Sequence, residues 1–237
     1  MTVLLVTGTG TGVGKTAVTA AVAALALARG EQVTVVKPAQ TGEPDGGGGD
    51  LAEVQRLAGP VAAVELARYP DPLSPAAAAR RSGRPALTIA ACTAAVDEAR
   101  TASDLVLVEG AGGLLVHYDD TGTTMADLAA AAGLPVVVVT TAGLGTLNTT
   151  ALTLEALERR GLALHALVIG AWPRHPDLAD RCNVADLERL AGRLDGALAA
   201  GVTTSGPEGF LAAAQAGLGA VFGGSFDPVA FAASVQP

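Results

Sequence analysis

Nine residues near the start of the chain, GTGTGVGKT from Gly8 to Thr16, constrain the fold more than any other feature. They follow an apolar run at residues 3–6 and open an alanine-rich stretch with no helix breaker before Gly30. A strand, a glycine loop and a helix in that order make a phosphate cradle, because loop N–H groups and the helix N-terminus converge on an anion. This order predicts a phosphate-binding loop at the carboxyl end of a strand.

The spacing of the loop departs from the usual pattern. A standard P-loop has four residues between its glycines, whereas five separate Gly8 from Gly14, so we expect a slightly enlarged loop. A flexible strand-to-helix turn is the alternative in a chain with 30 glycines, but the closing Gly-Lys-Thr favours nucleotide binding. Lys15 is then expected to reach the β- and γ-phosphates, and the Thr16 hydroxyl to bind Mg²⁺. The expected phosphate contacts are Gly12, Val13, Gly14, Lys15, Thr16 and Ala17.

Short apolar runs alternate with stretches of helical spacing along the chain. The runs are residues 3–6, 33–36, 105–108, 135–139 and 164–169, and the helical stretches are 16–29, 88–101, 125–132 and 147–160. Continuous apolar runs are typical of buried parallel strands. The pattern predicts an α/β fold, with a doubly wound, mostly parallel β-sheet and helices on both faces. After about Pro173 the pattern weakens.

Bulk properties exclude several classes of function. A chain of 237 residues can bury one α/β core, so a single domain over residues 1–237 is expected. The net charge of −8 opposes a nucleic-acid partner. No apolar run approaches the length of a membrane span, and Cys92 and Cys182 are expected to be free, space-filling thiols in helices. These features indicate a cytoplasmic protein without a membrane or nucleic-acid partner.

Two further strand ends carry candidate chemistry. The run at 105–108 delivers Glu109 to a glycine-rich turn, where a P-loop protein places the acid that binds Mg²⁺; a capping or salt-bridged carboxylate is the alternative. Lys37 follows the run at 33–36 and should emerge beside Lys15, where two ammonium groups suit two phosphates or a phosphate and a carboxylate. On spacing alone Asp50 is expected to cap a helix, though it could reach the metal.

Three loops remain open to interpretation. Glycines ahead of a predicted helix at 143–148 make either a backbone anion site or an ordinary strand-to-helix turn. The proline-rich stretch 69–75 is a functional loop or a spacer, and Pro75 should lie in the first turn of a helix over 76–81. Residues 46–49, four glycines, have the composition of a flexible linker.

In combination, these blocks resemble the dethiobiotin synthetase family, whose members close the ureido ring in biotin biosynthesis. The resemblance rests on GTGTGVGKT, KPAQTG at 37–42, Asp50, PLSP at 72–75, VEGAGG at 108–113 and GLGTLN at 143–148. The blocks run in order through the first two-thirds of the chain, and their combination is more specific than any one of them.

The resemblance implies that CO₂ adds to an amine of 7,8-diaminononanoate and that the carbamate attacks the γ-phosphate of a nucleoside triphosphate. The neighbouring amine then closes the mixed carbamic-phosphoric anhydride and releases phosphate. Lys15, Lys37 and Thr11 would be catalytic. Mg²⁺ would be bound by Thr16, Asp50 and Glu109, which raises Asp50 from cap to metal ligand.

The resemblance also implies substrate contacts and a homodimer with shared active sites. The substrate contacts would be Lys37, Thr41, Ala111, Gly112, Gly145, Thr146, Leu147 and Asn148. The last four would receive the distant carboxylate from the other subunit. The base would meet Gly170, Ala171, Trp172 and Pro173, which replace a turn that in some relatives carries an adenine-reading Asn, so ATP, CTP or another triphosphate remains open. Gly12 stands where relatives are often acidic.

Alternative functions have weaker support in the sequence. A partitioning-type ATPase switch of the same superfamily would carry an extra lysine near Thr9 or Gly10, and neither is lysine. Such a switch would also need a basic amphipathic tail to act at a membrane surface. No Asn-Lys-x-Asp sequence specifies guanine, and a nonenzymatic regulatory domain would not need the intact Lys15, Thr16 and Glu109.

Overall fold

A computed structural model, which describes residues 1–236, contains one parallel β-sheet. Its strands are β1 Thr2–Gly8, β2 Val33–Thr41, β3 Ala62–Tyr69, β4 Leu105–Gly113, β5 Val136–Thr140, β6 Leu164–Trp172 and β7 Gly196–Ala199. They lie in the order β3-β2-β4-β1-β5-β6-β7, and each neighbouring pair is parallel. The α/β, doubly wound fold predicted from the sequence is confirmed.

Helices connect the strands and cover both faces of the sheet. They are α1 Lys15–Ala28, α2 Asp50–Ala58, α3 Pro75–Ser82, α4 Ile89–Ala102, α5 Met125–Ala132, α6 Thr146–Glu158, α7 Leu178–Ala191, α8 Pro207–Gly217 and α9 Pro228–Ser234. Helices α1, α2 and α8 bury their apolar side chains in one core, and α4 to α7 bury theirs in the other. Alternate residues of each strand serve opposite cores, since successive strand side chains point to opposite faces.

Local sequence explains where α1 begins and ends. Gly14 precedes it with a φ of 96°, a left-handed conformation that a glycine adopts without steric cost. The helix is mostly alanine, valine and leucine and is buried from Ala17 to Ala26, so it runs through the core behind the phosphate-binding loop. Gly30, with a φ of 80°, follows its end.

Two strands were not predicted from the sequence. β3 is an edge strand whose residues are mostly half-buried or exposed, so it lacks the continuous apolar run of a central strand. β7 has only four residues. The predicted strands at β2, β4 and β6 were too short, because each strand continues beyond its apolar run, at β2 and β4 into polar or glycine residues that line the site.

The cysteine prediction is partly wrong. Both thiols are free and lie in helices, and Cys92 is buried as expected, but Cys182 is exposed and fills no space in the core. Burial raises the pKa of the Cys92 thiol to about 12. Every helix within residues 1–236 is too short or too polar to span a bilayer.

Candidate active site

The register of the sheet brings together the carboxyl ends of the three strands that carry the candidate site residues. β1, β4 and β2 are neighbours, and Val6 lies opposite Glu109 while Val36 lies opposite Val108. Lys37, the next residue of β2, therefore emerges level with Glu109. The phosphate-binding loop begins at Gly8, the last residue of β1. Ligands of open parallel sheets collect at this carboxyl edge.

Lys37 lies between two carboxylates. Its Nζ is 2.9 Å from Glu109 Oε1, also contacts Asp50 Oδ2, and donates to the Gly110 carbonyl at 3.3 Å. Lys37 is 2% exposed and Glu109 is 1% exposed. A buried ammonium is tolerated here because its charge is paired and its hydrogen bonds are satisfied.

The ion pair between Lys37 and Asp50 sets the protonation state of both side chains. Burial alone lowers the pKa of Lys37, but the charges of Glu109 and Asp50 raise it by more, so the pKa lies above its ordinary value of 10.5. Burial likewise raises the pKa of Asp50, yet the Lys37 charge and hydrogen bonds outweigh burial and the net pKa is lowered. Lys37 and Asp50 are therefore both ionised at neutral pH.

Lys15 has a different environment from Lys37. Its Nζ donates to the Gly10 carbonyl at 3.0 Å, inside the curl of the loop. Burial, followed by repulsion from Lys37, lowers the pKa of Lys15. Because Lys37 is already paired with two carboxylates, Lys15 is the ammonium group of this pocket that is available to a polyanion.

The loop and the charged cluster form one wall of a cavity of about 440 Å³. Most predicted phosphate contacts lie in its lining: Gly12, Gly14, Lys15, Thr16 and Ala17. Val13 differs from the others, since its side chain is buried in the apolar core beneath the loop and only its backbone can face a ligand. Glu53 and Thr203, which sequence reasoning did not single out, line the same cavity.

The oxygen atoms near Lys37 fit a hard divalent cation. The Thr16 hydroxyl donates to Glu109 Oε1 at 2.9 Å, and Glu109 Oε2 is buried without a hydrogen-bond partner in the described residues. No group of three or more His, Cys, Asp or Glu side chains suited to a metal occurs in residues 1–236. Two carboxylates and a hydroxyl suit Mg²⁺, which keeps several waters and takes ligands from substrate phosphates.

Asp50 is not a helix cap, contrary to the interpretation from spacing alone. It is the first residue of α2, and Gly49, with a φ of 116°, occupies the cap position without a side-chain bond. The Asp50 N–H instead donates to Gln40 Oε1 at 2.9 Å. The Asp50 carboxylate is thereby free to pair with Lys37.

A second cavity of about 490 Å³ adjoins the first. The two cavities share Thr11, Thr41, Ala111 and Gly112. The outer wall is formed by PLSP, residues 72–75, which favours a functional loop over a spacer for the proline-rich stretch. Tyr118, also missed from the sequence, accepts a 2.6 Å hydrogen bond from the Ala111 N–H through its buried hydroxyl and holds this wall in place.

The turn predicted to bind the substrate carboxylate, residues 145–148, lies outside both cavities. Gly145 and Asn148 are exposed, Leu147 is half-buried, and these residues line neither of the two cavities in the described structure. Thr146 is buried and donates its hydroxyl to the Thr141 carbonyl at 2.7 Å, so only its backbone can face a ligand.

A side chain that sequence reasoning missed supports this turn. Asn183 of α7 donates from its buried amide to the carbonyls of Ala142 and Gly143, at 2.8 and 3.2 Å. No local pattern marks Asn183, because its partners are some forty residues away along the chain. Gln40 and Tyr118 were also missed, although their partners Asp50 and Ala111 lie only ten and seven residues away, because no local pattern shows that these side chains accept backbone N–H groups.

The four predicted base contacts divide into two groups. Gly170 lies against the phosphate-binding loop: a Cβ there would stand 2.1 Å from the Val13 carbonyl oxygen. Trp172 packs edge-on against Phe231 of α9, with ring centroids 5.0 Å apart. Residues 170–173 do not line the 440 Å³ cavity.

Curated proteins similar to this chain over its full length carry the same name. The family described as AAA domain matches residues 2–195. ATP-dependent dethiobiotin synthetase BioD of Streptomyces avermitilis is 53% identical over 238 residues and covers 100% of both chains. The protein of the same name from Frankia casuarinae is 57% identical over 237 residues, again with 100% of both chains covered.

Solved structures agree on the fold. The MinC:MinD cell division protein complex of Aquifex aeolicus has a TM-score of 0.56 at 14% identity, over 84% of this chain and 81% of that chain. The cell division ATPase MinD of Pyrococcus furiosus has a TM-score of 0.55 at 17% identity, over 90% and 89%. At these identities the likeness shows a P-loop NTPase fold and nothing about activity.

Proposed function

The chain belongs to the dethiobiotin synthetase family and is an ATP-dependent dethiobiotin synthase of biotin biosynthesis, and from this premise we propose how its residues carry the reaction. The observation that supports the proposal is the shared wall of the two cavities. A diamine in the 490 Å³ cavity would lie next to a triphosphate in the 440 Å³ cavity. Closeness of this kind converts a bimolecular step into an effectively unimolecular one.

The proposed reaction has three steps. One amine of 7,8-diaminononanoate attacks CO₂ and loses a proton, which gives a carbamate. A carbamate oxygen then attacks the γ-phosphorus, the bond to the bridging β–γ oxygen breaks, and the nucleoside diphosphate leaves. The second amine attacks the carbonyl carbon of the mixed anhydride, loses a proton and expels phosphate, which closes the ureido ring.

The protein contributes positioning and charge to these steps. Lys15 and the backbone N–H groups of Gly12 and Gly14 would bind the phosphates, and Thr11, which lines both cavities, would lie near the carbamate. Lys37 is ionised and would stabilise negative charge on the carbamate and the transferring phosphoryl group. Phosphoryl transfer depends mainly on such positioning and neutralisation.

Thr16, Asp50 and Glu109 would hold the metal. Bound Mg²⁺ supplies neutralisation of the negative charge on the phosphate oxygens. Glu109 Oε2 supports this role, since it is buried and has no hydrogen-bond partner among the described residues. Lys37 keeps the Asp50 carboxylate ionised and holds both carboxylates in position before a ligand arrives.

The diamine end of the substrate would lie against Thr41 and the backbone of Ala111 and Gly112. We further propose that its distant carboxylate reaches Gly145, Thr146, Leu147 and Asn148 of a second copy in a homodimer. Exposed leucines around a groove of about 390 Å³ beside α6 support this assembly: Leu152 is 59% exposed and Leu115 is 43% exposed. A one-domain protein over residues 1–237 and a cytoplasmic location remain predictions.

Nucleotide choice follows from the backbone near Gly170. We propose that residues 170–173 read the base through main-chain groups, because the turn carries no amide side chain and the Trp172 indole is engaged with Phe231. The parallel assay with ATP and CTP described below measures which base these main-chain contacts favour.

Phosphate release tests the proposal. ATP and CTP are supplied in parallel with bicarbonate and Mg²⁺, with and without 7,8-diaminononanoate, and the cyclic urea is followed by mass spectrometry. We expect release that depends on the diamine, with one dethiobiotin per phosphate. If the rate of phosphate release is the same with and without the diamine for both nucleotides, the mechanism is contradicted and a partitioning-type ATPase switch is favoured.

A further inference from the structure

The glycine tract at residues 46–49, interpreted from the sequence as a flexible linker, is held by an arginine in the structure. Arg68, near the end of β3, donates to the carbonyls of Pro44 and Gly47 at 3.3 Å each and to that of Gly48 at 3.0 Å. The next residue after the tract is Asp50. A side chain outside the two cavities thus touches the segment that delivers a charged residue to the site.

Arg68 is itself fixed in place. Its guanidinium forms a two-pronged pair with Glu65, at 2.6 and 2.7 Å. Register places Arg68 opposite Gln40, the residue whose side chain accepts from the Asp50 N–H. A planar fork with five donors can serve a carboxylate and several carbonyls at once, which a lysine cannot.

A second arginine supports the same loop from outside. Arg84 pairs with both oxygens of Asp45, at 2.8 and 2.7 Å, and donates to the Arg68 carbonyl at 2.8 Å. Asp45 is largely exposed, so this pair contributes less than the half-buried Arg68 contacts.

Four consecutive glycines need such contacts because glycine loses more backbone freedom on ordering than any other residue. Gly46 and Gly49 have φ values of 77° and 116°, which other residues rarely adopt, so a stiffer sequence cannot replace them at no cost. Side-chain bonds from outside the tract therefore add to the few backbone bonds that order it, such as that from the Gly47 N–H to the Pro44 carbonyl at 3.0 Å.

We propose that Arg68 is a positioning residue that orders the glycine tract and thereby holds the Asp50 carboxylate beside Lys37 and the metal site. The inference rests on the proposed role of Asp50 as a metal ligand. Partners that orient metal ligands typically change metal affinity by about 10- to 100-fold when removed.

The first test uses Mn²⁺ as a spectroscopic substitute for Mg²⁺. Its affinity is measured by electron paramagnetic resonance with a nonhydrolysable ATP analogue bound to the full chain. We expect Arg68→Met to weaken Mn²⁺ binding about 10-fold, and Arg68→Lys to weaken it nearly as much because the fork is lost. Arg100→Met is the matched control, since Arg100 also pairs with an acid three residues away and with a carbonyl, but on α4. Unchanged affinity in folded Arg68→Met would overturn the proposal.

Amide hydrogen exchange provides a second readout that does not depend on metal. Residues 43–50 should exchange faster in Arg68→Met than in the wild type or Arg100→Met. Adding Gly48→Ala should restore part of the lost Mn²⁺ affinity, because Gly48 has no positive φ and a Cβ there meets no heavy atom within 4 Å. If exchange at 43–50 is unaltered in Arg68→Met, Arg68 does not order the tract.

Asp50→Asn separates this inference from the proposed function. If Asp50→Asn binds Mn²⁺ as well as the wild type does, Asp50 is not a metal ligand and the proposed metal site fails, while hydrogen exchange still decides whether Arg68 orders the tract. If Arg68→Met does not fold, Glu65→Gln removes one charge from the pair and takes its place, with the same two readouts and the same overturning result.

Discussion

At the scale of single residues, Lys37 determines how the site is held together. Its ammonium has charge partners on two different elements, Asp50 at the start of α2 and Glu109 in β4. Removing one member of such a group leaves buried charge uncompensated, which costs far more than the whole group contributes over an apolar replacement. Function and stability are therefore coupled at this residue.

Lys37→Met should lower turnover by at least about 100-fold and destabilise the fold by about 3 kcal/mol at neutral pH. Because the pKa of Lys37 is raised on folding, its ammonium stabilises the folded protein fully below pH 10.5, and this stability is lost as the pH rises through the pKa of Lys37 in the folded state. Because the pKa of Asp50 is lowered on folding, its carboxylate stabilises the folded protein fully above pH 3.8, and this stability is lost as the pH falls through the pKa of Asp50 in the folded state. The difference in Tm between wild type and variant should thus be largest near neutral pH and shrink toward pH 3.

Thermal unfolding at pH 3 to 8 and steady-state turnover check this prediction. Lys37→Arg is the control that keeps the charge, and it should retain more stability than Lys37→Met. Normal turnover in folded Lys37→Met would remove Lys37 from the mechanism.

Gly170→Ala should disrupt the phosphate-binding loop although it lies outside the nucleotide cavity. The new Cβ would stand 2.1 Å from the Val13 carbonyl oxygen and 2.6 Å from Val139 Cγ1. We expect a loss of about 1–3 kcal/mol and weaker nucleotide affinity, measured by thermal unfolding and calorimetric titration. Gly48→Ala, which meets no neighbouring atom, should leave both near the wild-type values. Equal behaviour of the two variants would contradict the close packing.

At the scale of elements, the N-terminus of α6 depends on its neighbours. Gly145 caps the helix in a left-handed conformation without a side-chain bond, and Thr140 shares hydroxyl bonds of 2.8 Å with Thr146 and Thr150 below it. Asn183 holds the preceding turn from α7. The turn is therefore ordered both by its own glycine and threonines and by the tertiary contact with Asn183.

Asn183→Leu should damage this turn selectively. It keeps the side-chain size but leaves the Ala142 and Gly143 carbonyls without their amide donor. If the turn receives the substrate carboxylate, KM for 7,8-diaminononanoate should rise about 10-fold while kcat and KM for the nucleotide change little. Steady-state kinetics with each substrate varied in turn provide the measurement. A fall in kcat alone would contradict a role in carboxylate binding.

At the scale of the whole molecule, exposed apolar surface beside α6 bears on assembly. Leu152 is 59% exposed and Leu115 is 43% exposed, and both line the groove formed by the phosphate-binding loop, residues 113–116 and α6. Clustered apolar exposure rimmed by polar residues is typical of protein interfaces. The groove shares Thr11 with both cavities, so in the proposed homodimer a second copy docked there would lie close to the substrate.

Leu152→Glu should convert the proposed dimer to monomers, because it places a charge in the apolar interface of an acidic protein. We expect analytical ultracentrifugation to show half the wild-type mass and activity to fall at low protein concentration. Leu178→Glu is the matched control, since Leu178 is 62% exposed on α7 and does not line the groove. A wild-type protein that sediments as a monomer would refute shared active sites.

Local sequence was a good guide to the central strands and to the placement of Lys15, Thr16, Lys37 and Glu109 around one cavity, while their roles stay predictions. A central parallel strand is buried on both faces, so it must be continuously apolar, and a phosphate loop needs glycines ahead of a helix. The edge strand β3 escaped prediction because it is half-exposed and its pattern is mixed. Asp50 was misinterpreted as a cap because its position next to a helix start is compatible with both roles.

The amino-acid sequence by itself determined the α/β class, the position of the phosphate-binding loop and the family, since these follow from periodicity and short-range motifs. Only the tertiary structure decided that Asp50 pairs with Lys37, that Arg68 holds the glycine tract and that Asn183 supports the turn before α6. Each of these contacts joins residues distant along the chain. Their geometry depends on strand order and helix packing, which no local pattern of side chains encodes.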